Sequence, residues 1–182
     1  AMLMMNDIFA HTWGQYDIGA RPADEYWEHI IPQVRAEHPD FMFIAEVYWN
    51  KEYDVLQQGF DYAYDKTLYD RIVSGDIEQI RLHLLADIAY QRHLIRFIEN
   101  HDEPRAFARL GPNKSIPAAT LICTLPGAVL LHEGQFVGRK VKLPVQIKRQ
   151  PDEQLQPELE HYYERLLWET LDPTYEHGQF YL

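Results

Sequence analysis

The sequence predicts an α/β fold of about four parallel strands with flanking helices, a partial (half) TIM barrel. Three observations predict it. Short apolar runs alternate with helical patterns along the 182 residues, the order that a parallel sheet requires. Two of these runs, Phe41 to Ala45 and Leu94 to Ile98, end abruptly, one in Glu46 and the other in Glu99-Asn100-His101-Asp102-Glu103. Buried parallel strands look like this where their carboxyl ends open into a site. Glu46 and Asp102 stand 56 positions apart, close to two βα units at about 31 residues each in a barrel of roughly 250 residues. Only about four strands are found where a closed barrel needs eight.

In chain order, Met2 to Trp13 is apolar and helix-compatible. From Asp24, a helical pattern carries Tyr26, Trp27, Ile30, Ile31 and Val34, with Pro32 inside it as a kink and His38-Pro39-Asp40 as its end. Phe41 to Ala45 is the first strand. Tyr53 to Gln58 is a short helical or loop segment closed by Gly59, Phe60 to Tyr64 a second strand, and Lys66 to Val73 a helix. Asp76 caps a longer helix to about Arg92, with Ile77, Ile80, Leu84, Leu85 and Ile88 inward. Leu94 to Glu99 is the third strand. Ser115, with Pro117 in the first turn, opens a helix over 116–124. Pro126-Gly127 is a turn and Ala128 to Leu131 the fourth strand. A long loop from Glu133 to Gln150 precedes a last helix begun by Asp152-Glu153 and stopped by Asp172-Pro173, and Gln179 to Leu182 is extended.

Composition excludes several function classes. A net charge of −11 argues against nucleic acid, whose phosphates need clustered positive charge. The basic residues Arg139, Lys140, Lys142, Lys148 and Arg149 read as one solvated loop. The lone Cys123 leaves no internal disulfide. No basic segment precedes an apolar core at the amino terminus, and the longest apolar stretch, Ala118 to Leu131, is interrupted by Thr124 and Pro126-Gly127. The expectation is a cytoplasmic protein without a membrane partner. Aromatic residues make up 13% of the chain, a proportion that suits sugar or peptide faces although core packing accounts for most of them.

Two strands that each deliver a carboxylate suggest acid/base work on a shared substrate. Bland alternatives stand beside that reading. Glu46 could serve a surface salt bridge, Asp102 could cap a following helix, and Arg105 could hold Asp102 or Glu103 ionised. Tyr48 and Trp49 fit sugar stacking and packing equally. Neighbouring residues such as His101, Asp102 and Glu103 rarely converge on one ion, so no metal and no cofactor is expected.

These residues resemble a known family. Phe43-Ile44-Ala45-Glu46-Val47 resembles the fifth-strand motif of the alpha-amylase family of glycoside hydrolases, and Phe97-Ile98-Glu99-Asn100-His101-Asp102 its seventh-strand motif. Gly127 to Gln135 is similar to the eighth-strand segment that often ends in Tyr-Gly-Gln, and Gly59-Phe60-Asp61 falls where the sixth strand belongs. The resemblance implies that Glu46 is the general acid/base. Asp102 would grip sugar hydroxyls and steady the oxocarbenium-like transition state. His101 would hydrogen-bond the sugar; beside these, Asn100 and Trp49 are candidate substrate contacts from their place next to the two strand ends. It implies an α-glucan or oligosaccharide substrate and a domain over 1–174, with 175–182 starting a β domain.

The family's nucleophile, an Asp in a Gly-x-Arg-x-Asp motif on the fourth strand, is absent, and Ala1-Met2-Leu3 resembles the family's residues just after that Asp. The expectation is a piece without the first barrel strands and inactive alone, since retaining cleavage needs two carboxyls about 5 Å apart. The alternative is a saccharide-binding or structural half-barrel without catalysis. Exposed sheet edges imply a homodimer.

Overall fold

The computed structural model describes residues 4–16, 21–147 and 149–182. Ala1-Met2-Leu3 and Lys148 lie outside the described residues. The chain divides into two compact units, Ala1–Thr67 and Leu68–Leu182.

In the first unit, helices α1 (Asn6–Trp13) and α2 (Tyr26–Glu37) precede strand β1 (Ile44–Ala45), helix α3 (Glu52–Gln57) and strand β2 (Tyr62–Tyr64). The start of α1 is tied to the segment before α2. Asn6 donates through Nδ2 to the carbonyls of Pro22 and Asp24, and its backbone N–H donates to Glu25. Helix α2 continues past Pro32, which sits on the exposed face, where water can satisfy the carbonyl that loses its partner. Gly59, at φ 104°, closes α3 and lets Phe60 turn inward. Trp27 and Phe43 then pack edge-on against Phe60.

Strands β1 and β2 are parallel, with Ile44 opposite Tyr62 and Ala45 opposite Ala63. The approach to β1 departs from expectation. Phe41, Met42 and Ile44 are about half exposed, whereas Ala45 and Val47 are fully buried, so this run has one buried face and not two. Asp61 fixes its start, taking the Phe43 N–H at 2.7 Å and pairing with Arg35 at 2.7 Å.

The second unit holds α4 (Lys66–Ser74, from Leu68 onward), α5 (Ile77–Leu84), α6 (Ile88–Gln91), β3 (Leu94–Arg96), α7 (Ala106–Thr124), β4 (Ala128–Val129), α8 (Pro157–Glu169) and α9 (Pro173–His177). Asp76 caps α5 as expected, accepting from the Gln79 N–H. The single long helix to Arg92 is instead two helices. Asp87 caps α6 by accepting from Ala89, and the buried Gln91 side chain donates to the carbonyls of Leu84 and Ala86 that the break would strand. Ile77, Leu85 and Ile88, expected inside, are exposed.

Strand β3 fits expectation more closely: every residue from Leu94 to Asn100 is buried. It pairs in parallel with β4, Ile95 opposite Ala128 and Arg96 opposite Val129. Helix α7 starts earlier than the expected Ile116, because Gly111 at φ 71° and ψ 173° breaks it into two segments and Pro112 opens the second. Helix α8 likewise starts at Pro157 rather than at Asp152, and Asp172-Pro173 opens α9 instead of ending the chain's helices. Helix α9 crosses position 174, and Phe180 packs against the core of the second unit. That core gathers Leu68, Ile98, Ala119, Ile122, Leu159 and Tyr163. Among the described residues no helix is long and apolar enough to cross a membrane.

The turn into β4 tolerates no side chain. At Gly127, φ 109°, a Cβ would stand 2.4 Å from the Leu94 carbonyl oxygen and 2.8 Å from that of Gln91. Gly127→Ala is therefore expected to cost more than about 2 kcal/mol, read as a lowered midpoint in urea unfolding. A midpoint equal to that of the parent would contradict this packing.

Candidate active site

Each unit carries one strand end that the sequence marked, and each is built by local geometry. In the first unit, Glu46 follows β1 between the buried Ala45 and Val47 and is itself half-buried. The Tyr48 hydroxyl donates to Glu46 Oε1 at 2.7 Å, a contact between residues i and i+2 on one face of an extended chain. Trp49 and Asn50 then adopt left-handed backbone, φ 60° and 58°. For a bulky residue such as Trp that conformation costs about 1–2 kcal/mol, and strain of this kind collects at functional sites. It leaves the Trp49 ring two-thirds exposed.

In the second unit the buried strand gives way at Asn100. The Asn100 side chain stays inside, and its Oδ1 accepts the backbone N–H groups of Asp102 (2.9 Å) and Glu103 (2.8 Å). This Asx-type turn spends Asn100's oxygen on the backbone. It presents His101 and Asp102 to solvent, their side chains 40% and 58% exposed and 3.5 Å apart between Nε2 and Oδ2. The Lys142 ammonium, from the loop after β4, donates to the Asp102 carbonyl. Lys142, placed among solvated loop residues by the sequence, thus touches the turn.

The larger surprise lies beneath. Arg105 holds neither Asp102 nor Glu103: its Nη2 pairs with Glu99 Oε1 at 2.9 Å, and both side chains are buried. The same guanidinium donates to the Glu133 carbonyl at 2.7 Å and meets His132 Nδ1 at 3.0 Å. Glu99 Oε2 accepts the Ala106 N–H at 2.6 Å. Glu99, and not Asp102, therefore caps α7. Burial pushes the Glu99 carboxyl up to about 7, against the opposing pull of the Ala106 amide and Arg105. Burial, then Arg105, lowers the pKa of His132, consistent with a neutral ring whose Nδ1 accepts from Arg105. Sequence reading took Glu99 as a strand residue. The available signal was an acidic residue ending an apolar run with an arginine just before a helix start.

No family model matches the sequence. Curated relatives do. Alpha-amylase 3 of Dictyoglomus thermophilum is 25% identical over 141 residues, covering 70% of this chain and 28% of that protein. The alpha-amylase MalA of Haloarcula japonica is 30% identical over 124 residues, 63% of this chain and 18% of that protein. Over these stretches the chain is similar in sequence to part of two alpha-amylases. Solved structures extend the likeness in fold. An alpha-amylase from H. orenii matches with a TM-score of 0.65 at 20% identity, over 93% of this chain and 47% of its own. The cyclic α-maltosyl-(1→6)-maltose hydrolase of Arthrobacter globiformis matches at 0.69 and 19%, over 96% and 45%. The fold is thus the expected one, an α/β partial barrel of the alpha-amylase kind. The chain spans under a third of the curated relatives it matches and under half of these two structures.

The raised Glu99 pKa has a definite stability signature. Folded, this carboxyl holds its proton above the ordinary 4.5, so between about 4.5 and about 7 the native state binds more protons and stability falls as pH rises. The melting temperature of the parent minus that of Glu99→Gln should be larger at about pH 5 than at about pH 8. An equal difference at both would mean that Glu99 titrates normally.

Proposed function

We propose that these residues are the carboxyl-terminal part of a retaining glycoside hydrolase or transglycosylase acting on α-glucosidic bonds. The observation that carries this reading is the pair His101 and Asp102, presented by a capped turn at the mouth of a strand buried over seven residues, in a chain similar in sequence to part of two alpha-amylases. An α-glucan or oligosaccharide is the substrate class; the Arthrobacter hydrolase, solved with maltose, is compatible with that choice.

In this reading Glu46 protonates the leaving oxygen and then, as a base, activates the incoming water or sugar hydroxyl. Its bond from the Tyr48 hydroxyl fixes which oxygen faces the substrate. Asp102 takes sugar hydroxyls and offsets charge in the oxocarbenium-like transition state. His101 orients the ring that Asp102 takes, and the exposed Trp49 of the first unit offers a stacking face for a sugar. No Gly-x-Arg-x-Asp segment stands in the 182 residues, so the attacking carboxylate is not theirs, and alone they form no covalent glycosyl intermediate. The barrel portion continues through α9, because Phe180 packs against the core of the second unit. The half-exposed Phe41, Met42 and Ile44 beside β1 favour association of two copies, with light scattering at micromolar concentration as its test.

The 182-residue chain is expected to bind maltotetraose and to turn over no activated aryl α-glucoside. Glu46→Gln should keep that binding, while His101→Ala should weaken it about tenfold, both read by calorimetry. Absence of any saccharide binding removes the reading, and turnover that depends on Glu46 removes the claim that the piece is inactive alone.

A further inference from the structure

Buried between the turn and the core, the Glu99–Arg105 pair has no place in the chemistry of sugar cleavage. A pair of apolar side chains would stabilise such a spot as well or better, because two charges withdrawn from water rarely recover their desolvation. What the pair adds is a fixed separation across the turn, since Arg105 Nη2 and Glu99 Oε1 stand 2.9 Å apart as an ion pair while the same guanidinium is held from its other side.

We propose that Glu99 and Arg105 are positioning residues that fix where His101 and Asp102 stand. The two residues flank the turn in sequence, so their 2.9 Å contact cinches its ends together. Within that closed loop, Asn100 takes the Asp102 and Glu103 amides. Outside it, the Glu133 carbonyl and His132 hold the far edge of the guanidinium. Gly134 leaves it room: a Cβ there would stand 2.7 Å from Arg105 Nη2. Glu99, Arg105, His132 and the Glu133 carbonyl thus form one contact network beside the turn that carries His101. The groups facing Glu99 are Arg105 and the Ala106 amide at the start of α7, His132 and Glu133 after β4, and Tyr163 on α8. Those facing His101 include Asp102 and His132.

The proposal rests on the saccharide reading only for its consequence in binding. The test compares the parent chain with Arg105→Lys and Glu99→Gln by circular dichroism, by the NMR position and pH titration of the His101 ring, and by calorimetry with maltotetraose. Folded variants are expected to show a displaced His101 resonance, an altered His101 titration and maltotetraose binding about tenfold weaker. A His101 resonance and titration identical to the parent in a folded variant overturns the proposal. Should neither variant fold, the parent decides. In the parent, the Arg105 guanidinium protons must be protected from solvent exchange and lie close to His132 and Glu133, and rapidly exchanging guanidinium protons overturn the proposal. A parent that binds no maltotetraose refutes the saccharide reading, and the NMR comparison still decides the positioning role.

Discussion

A carboxylate and a guanidinium withdrawn from water must find each other, and much of the second unit is arranged to let them. Arg105 occupies the position that opens α7, where the exposed backbone N–H groups already carry positive charge and a cation is unwelcome. No acidic residue stands in the first turn of that helix. Glu99 answers both needs, one oxygen on the Ala106 N–H and the other on the guanidinium. The chain after β4 then bends around the same group, with Gly134 bare where a side chain would strike it. Gln135 extends the network by donating to the Tyr163 hydroxyl, so α8 is bound into it too.

The fold was legible where local chemistry and tertiary packing agree. Asp76 and Gly59 mark helix ends by side-chain capping and by left-handed backbone, and both act where the sequence places them. The errors fall where one residue carries a rival signal. Asp87 is a second cap inside a run whose apolar spacing suits one long helix, and the compensating Gln91 bonds to Leu84 and Ala86 have no periodic signature. The first segment of α7, which begins at Ala106 and is broken at Gly111, is too short for a periodic signal, so the expected helix begins only at Ile116. Asp172-Pro173 reads equally as a stop or as a cap followed by a first-turn proline; the structure uses the second.

The candidate site was legible as motifs and illegible as a network. His101 and Asp102 are neighbours, and their exposure follows from the single buried Asn100 before them. The partner of Arg105 could not be read the same way. Asp102 and Glu103 are nearer to it in sequence than Glu99, and proximity along the chain favoured them. Burial reverses the choice: an exposed carboxylate such as Asp102 is stabilised by water, whereas Glu99 at the end of a fully buried run relies on the guanidinium, the Ala106 amide and the His132 ring. His132 and the Glu133 carbonyl lie 27 and 28 positions away, a separation that no local pattern encodes.

Cys123 is buried in the core of the second unit, and desolvation pushes its thiol up to about 11. At neutral pH it is therefore both neutral and shielded, and only the thiolate reacts with alkylating reagents. As the one cysteine of the chain, it is a native clock for the opening of this core. Its rate of modification counts how often α7 breathes away from its neighbours, and no probe has to be introduced to read it.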